Sequence, residues 1–388
     1  MEIRHDTLSK VQQSDLVDGR CEIPDTVTRI GNWAFQRCYS LTSLFIPDSV
    51  TTIGEEAFEW CDSLTSIEIP NSVTQIGDGA FARCKSLTKV SIPDSIKRIS
   101  PGLFHSCEAL TTVEIPDSVT HIGDCAFYEC KSLTSLTIPH SVISIGEAAF
   151  DGCESLTDIE VPDTITQLGD NLFANCSSLR HVRIPDSLTH IGDSAFEWCV
   201  SLTAITIPSS VTHIGKWAFF ECKALTNVEL PNSIACIDRL TFNSCTALSS
   251  IVIPDSVTSI EYAAFEDCKS LTTVQLPNSL DYMADGVFQG CASLTSLTIY
   301  GTTYKVKCVD DIVLLADAHD QAEEWDIYRG SLFYGIKDGE PRMSMPHVVA
   351  YVVDKNGLCA LGDTVDEAKQ LWFKKFYRLE SPYDKRQS

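Results

Sequence analysis

The chain has 388 residues, 44% of them hydrophobic, and a formal net charge of −24 at pH 7. The first 300 residues carry 38 acidic and 17 basic side chains, and the last 88 carry 15 and 12, so the first part dominates the field. Such a surface repels phosphate backbones and anionic lipid, which excludes nucleic acid and anionic membrane as partners and leaves protein as the expected one.

Residues 1–23 open the chain with MEIRHDTLSKVQQSDLVDGR, which has no apolar core of the kind a signal peptide needs. Nowhere do 18 apolar residues run together, so no spanning helix is expected. Cys21 and Ile23 align with Leu44 and Ile46 one period later. Residues 1–23 are therefore expected to be a half-repeat that caps the apolar end of the first full repeat.

From residue 24 to residue 300 the sequence repeats every 23 residues without an insertion. Proline recurs from Pro24 to Pro277, phenylalanine from Phe35 to Phe288, cysteine from Cys38 to Cys291 and leucine from Leu41 to Leu294, with twelve members in each column. A strict period of this length predicts a solenoid of stacked supersecondary units. In Leu41–Ser63, Leu41, Leu44 and Ile46 mark a short strand with its apolar face inward, and Pro47 ends it. Asp48 and Ser49 come next in a turn, and Val50 and Ile53 form a second extended stretch. Gly54 permits a tight bend, and Ala57, Phe58 and Cys61 fall at helical spacing. The expected class is an α/β solenoid with short parallel strands.

Twelve of the seventeen cysteines occupy one inward column. Side chains stacked in parallel at about 4.8 Å approach poorly for a disulfide. They are expected to be free, buried thiols, which favours a reducing compartment. The cytoplasm is the favoured location, with surface exposure by a non-standard route the alternative.

This L-x-x-L-x-I…P-x-S-V-x-x-I-G-x-x-A-F-x-x-C-x-S pattern resembles the BspA-type leucine-rich repeat family of bacteria and some protists, over residues 24–299. Local departures are Ser100, Asp238, Glu261 and Ala284 in the glycine column, and Leu103, Leu172, Thr241 and Val287 in the alanine column. The resemblance implies a right-handed, curved solenoid used in adhesion or protein recognition, with no catalytic residue in the repeat.

Positions 43 and 45 of each unit face solvent and are mostly small and polar. One place differs. Asp158 should lie beside His181 and Glu160 beside Arg183, while Arg180 replaces a column that is threonine in ten of twelve units. Asp158, Glu160, Arg180, His181 and Arg183 are the candidate ligand site, where the implied concavity is deepest; the alternative is a pair of exposed cross-strand ion pairs. The Thr42, Thr65, Thr88 and Thr111 ladder is expected to face inward and bond through its hydroxyls. Exposed aromatics gather on the expected helical edge: Trp33, Trp60, Tyr128, Trp198, Trp217 and Phe220. Trp198, Trp217 and Phe220 come from adjacent units, and are either interface anchors or packing over neighbouring units. His190 and His213 share a column and His121 precedes Cys125 by four, but three convergent ligands are not visible, so no metal and no cofactor is expected.

Residues 301–388 read as a small α+β domain. YKVKCV at 304–309, IVLLA at 312–316 and SLFYGI at 331–336 are strand candidates. VVAYVV at 348–353 and LCAL at 358–361, joined across Asn356-Gly357, read as a hairpin. Asp363-Thr364 caps a helix that carries Leu371, Trp372 and Tyr377. The hairpin and helix resemble tails on other bacterial and phage-associated leucine-rich repeat proteins. His319-Asp320, His347 and Cys359 lie here, with nothing to order them as nucleophile and base, so no catalytic residue is assigned. The chain reads as a non-enzymatic protein-binding scaffold of open oligomeric state. The alternatives are a solenoid displaying a tail with its own enzymatic or regulatory activity, or a structural spacer.

Overall fold

A computed structural model describes residues 1–284, 286–299, 301–309, 312–322, 325–337, 340–343, 349–354 and 359–362. These residues fall in two compact units, Met1–Ser233 and Ile234–Ser388.

Both units are built from the same coil. In the first, the strand Ser43–Phe45 pairs in parallel with the equivalent residues of its neighbours, for instance Arg20 with Ser43 and Phe45 with Glu68. After Pro47 the chain turns, and Thr52–Ile53 joins a second parallel ladder, Thr52 opposite Gln75 and Ile53 opposite Ile76. Between the ladders lies the core: Leu41, Leu44, Ile46, Val50, Ile53, Ala57, Phe58 and Cys61 are all buried. Phenylalanine rings stack from coil to coil, 4.9 Å apart between Phe35 and Phe58 and 5.6 Å between Phe127 and Phe150. The second unit repeats this, with Phe242 and Phe265 at 5.4 Å.

The helical turn expected at Ala57, Phe58 and Cys61 is absent. Among the described residues the only helical segment is a 3-10 turn at Gln13–Asp15, so the coil is two short strands and a run of turns rather than an α/β unit. Hydrogen bonding explains the difference. Along 33–38 the amides alternate between two acceptors. Trp33, Phe35 and Arg37 donate to Glu55, Ala57 and Glu59 of the next coil at 2.9, 2.7 and 2.8 Å. Ala34, Gln36 and Cys38 donate three residues back, to Gly31, Trp33 and Phe35. An α-helix would turn every amide along its own axis and leave the neighbouring coil unpaired. The alternation is achieved by two residues per coil in the left-handed region, such as Trp33 and Arg37 with φ of 59° and 62°.

Three columns gain meaning from the same neighbour-to-neighbour bonding. Cys61 Sγ lies 3.2 Å from the Phe35 carbonyl of the preceding coil, and Cys84, Cys107 and Cys130 repeat the contact at 3.1–3.2 Å. The thiol is thus a donor to a carbonyl that already accepts an amide, as well as an apolar wedge. Burial pushes the thiols up, Cys38 to about 11 and Cys107 to about 12, so the donating proton stays in place. Ser49 Oγ donates 2.7 Å to the Val27 carbonyl of the coil before, not to its own turn. Gly54 is required by close approach, since an added Cβ would sit 2.5 Å from the Asn32 backbone nitrogen.

At the N-terminal end Cys21 stands opposite Leu44, as the alignment predicts. A hairpin of Glu2–Arg4 and Thr7–Lys10 adds to the other ladder, Thr7 beside Arg29 and Leu8 beside Ile30.

In the second unit Thr302–Val309, Ile312–Ala322 and Trp325–Lys337 contain the three predicted strands and form an antiparallel sheet that hydrogen-bonds directly onto the last coil. Thr302–Val309 pairs with Ser296–Ile299, while Ile336 returns to pair with Met283 on the other ladder. Both ladders of that coil are therefore closed by one sheet. Val349–Asp354 and Cys359–Gly362 pair antiparallel, as the hairpin reading expects. The Asn356-Gly357 turn and the predicted helix with Leu371, Trp372 and Tyr377 lie outside the described residues.

The coil can be tested in two ways. Among the described cysteines, all free, Cys125 and Cys236 are half-buried and should alkylate first in the native protein; in denaturant all seventeen thiols should react, and a count below half would establish disulfides. Phe127→Ala should remove roughly 3–5 kcal/mol by opening a cavity. Hydrogen exchange should rise in the coils around Phe104 and Phe150 and not near Ile30; a uniform rise would refute coil-by-coil coupling.

Candidate functional site

The strands Asp158–Glu160 and His181–Arg183 lie side by side in register, which brings together the residues singled out by spacing. His181 Nδ1 is 2.8 Å from Asp158 Oδ1. Arg183 reaches Glu160 Oε1 at 3.1 Å and also Asp163 Oδ1 at 3.2 Å. Asp163 was not anticipated. It stands in the turn after Pro162, where strand alternation no longer says which way a side chain leads. A bond from the Thr157 side chain, and then His181, holds the Asp158 carboxyl below its ordinary range.

All these pairs are exposed: His181 and Asp158 retain 74% and 65% of their side-chain accessibility, and Arg183 retains 53%. Water screens them, so they match the modest cross-strand pairs that the sequence allows as an alternative. Arg180 is different. It is exposed and makes no ion pair among the described residues, although its charge is felt at Asp158. The strand that carries His181 and Arg183 is one edge of a two-stranded ladder. No pairing joins His181–Arg183 to Ala204–Thr206, and Val182 is half-buried where Ile159 and Ile205 are buried.

The threonine ladder is corrected in its direction. Thr42 is exposed, not inward, because the strand begins only at Ser43 and its alternation does not extend back to the corner. Hydroxyl bonding holds: Thr88 Oγ1 donates to the Thr65 carbonyl at 3.2 Å, and Thr111 Oγ1 to the Thr88 carbonyl at 3.1 Å.

On the turn edge, Trp198 is 40% exposed and meets Phe220 edge-on at 6.1 Å, with Lys223 Nζ 5.3 Å from the ring. Trp217 is half-buried, with Lys216 Nζ 5.4 Å from its ring. Trp198 and Trp217 both occupy left-handed positions, with φ of 59° and 56°. Glycine fills the equivalent sites at Gly152 and Gly79. A bulky residue there is strained by about 1–3 kcal/mol, and the surroundings must hold it.

His190 and His213 have ring centroids 6.0 Å apart. Among the described residues no group of three histidine, cysteine, aspartate or glutamate side chains is placed to hold a metal ion. No described helix is long and apolar enough to cross a membrane. His347 lies outside the described residues, as do the side chains of His319, Asp320 and Cys359.

Arg183→Ala should leave thermal stability within about 1 kcal/mol of the parent, since the pair it breaks is exposed. A larger loss in chemical denaturation would mean that the patch holds the coils together.

Comparison with known proteins agrees with the repeat fold. The model of the BspA type leucine rich repeat region matches residues 19–134, 97–223 and 189–308, in six copies. A solved leucine-rich repeat protein from Bacteroides ovatus is 30% identical, with 76% of each chain covered and a TM-score of 0.56. A solved leucine rich cell surface protein from Faecalibacterium prausnitzii is 29% identical, covering 72% of this chain and 78% of that one, with a TM-score of 0.46. No match was found among curated proteins.

Proposed function

The chain belongs to the BspA-type leucine-rich repeat family, and we propose that it is a non-enzymatic scaffold that binds an acidic protein segment across Arg180, His181 and Arg183. The observation that carries this reading is Arg180. It is an exposed cation with no ion-pair partner among the described residues, just before a strand that is not paired with Ala204–Thr206, within a chain of net charge −24. An acidic segment supplies carboxylates for Arg180 and can compete with Glu160 and Asp163 for the Arg183 fork. Residues 1–23 act as the cap, 24–300 as the binding solenoid, and 301–388 as the C-terminal domain that succeeds it. The free, buried thiols support a reducing compartment.

A second reading has its own support. Trp198 is held exposed in a left-handed conformation that glycine would occupy without strain, which favours an aromatic anchor at the turn edge.

An array of acidic, neutral and basic peptides probed with the intact chain separates the two. The acidic peptides should be retained at low salt, released as salt rises, and lost in an Arg180→Ala, Arg183→Ala double variant. Retention by that variant, with loss in Trp198→Ala, would transfer the site to the aromatic edge.

A further inference from the structure

The second ladder of the first unit carries a site that lies away from the cationic patch. A groove of about 540 Å³, within the size range of small-ligand sites, runs across four coils between Ile143 and His213. Its floor includes Gly169 and Gly192, which have no side chain to fill it. Along one side stand Glu147, Asp170 and Asp193, one from each of three consecutive coils. Asp124 extends the row by one coil, and Lys216 ends it by pairing with Asp193 at 2.9 Å. No basic side chain among the described residues pairs with Asp124, Glu147 or Asp170.

Two further features define the ligand. The first is the tautomer of His190. Thr189 Oγ1 lies 3.0 Å from the Thr166 carbonyl and 2.8 Å from His190 Nδ1, so when its one hydroxyl proton is given to the carbonyl the ring donates the second contact. With Nδ1 protonated, a neutral His190 presents Nε2 as an acceptor. The second is Ile143, which is 56% exposed and lines the groove in a column otherwise rich in threonine. The site thus offers a row of acceptors beside one apolar patch.

We propose that this groove binds a linear aliphatic polyamine. Its ammonium groups would lie against Glu147 and Asp170, donate to His190 Nε2, and rest a methylene spacer on Ile143. Spacing favours this ligand over a peptide. Consecutive coils repeat at about 4.8 Å, whereas alternate side chains of an extended peptide are about 6.8 Å apart. Two amines separated by three carbons lie about 5 Å apart from bond lengths alone. A single metal ion does not fit, because no three-ligand group is present among the described residues.

Titration calorimetry of the full chain with spermidine at low salt tests the proposal. Glu147→Gln combined with Asp170→Asn should weaken binding at least tenfold. The fold should survive, because Asn32 already does the work of Asp170: it accepts the Glu55 amide at 3.0 Å, as Asp170 accepts the Asp193 amide at 2.8 Å. Glu68→Gln combined with Glu229→Gln, on the other ladder, should leave binding unchanged. Equal weakening by both pairs would mean diffuse attraction to a polyanion and would overturn the site. So would spermidine binding that is absent from the parent or unaltered by the first pair, or a trilysine peptide that binds more tightly than spermidine.

Discussion

Each coil in a unit completes the backbone hydrogen bonding of its neighbour, and this constraint governs the rest. Where Phe35 donates to Ala57, Gly54 to Ile30 and Thr65 to Thr42, residue n meets a residue about one period away at nearly every step. A buried backbone group without a partner costs about 1–3 kcal/mol, so a coil one residue longer or shorter would leave several unpaired. The uninterrupted 23-residue period in the sequence is the imprint of that requirement. It also explains the left-handed residues. Strain at two positions per coil is accepted because the alternating amides it creates reach the adjacent coil.

The period made much of the fold legible before any coordinates. Lateral neighbours are 23 residues apart, so Asp158 beside His181 and Glu160 beside Arg183 come from counting, as do the strands and the stack of phenylalanines. The turn run did not. Ala57, Phe58 and Cys61 have the same spacing on a helix as in a run of turns that buries one side, and hydrophobic period alone does not separate the two. The direction of Thr42 failed for a related reason, since strand alternation was extended one residue beyond the strand. Asp163 and the groove by Asp170 were missed because both depend on turns, where the chain changes direction and column arithmetic no longer reports which side chains converge.

A fold built this way separates invariant positions from free ones. The glycine column is fixed where a Cβ would strike the preceding backbone, as at Gly54 and Gly77. The cysteine column is fixed by volume and by its donated proton. Substitution in either disturbs two coils. By contrast, the side chains at positions 43 and 45 touch water and their lateral neighbours, so their chemistry can change at little cost. The ladder faces and turn edges are thus the positions that such a chain leaves free to vary.

Arg180 illustrates how that freedom reaches even a column with a structural role. Other members of the column, such as Thr88 and Thr111, are threonines whose hydroxyls donate to the preceding carbonyl, each bond worth about 0.5–1.5 kcal/mol. Replacing one hydroxyl with a guanidinium gives up that bond but leaves no carbonyl unsatisfied. The Thr157 oxygen still accepts the Arg180 amide at 2.8 Å and the His181 amide at 3.3 Å. A ladder in which the backbone alone satisfies the neighbour, and the side chain only adds to it, can therefore exchange a threonine for a charge without opening the coil. The cost of placing a cation there is one modest hydrogen bond. What remains is an exposed charge that the solenoid itself does not use.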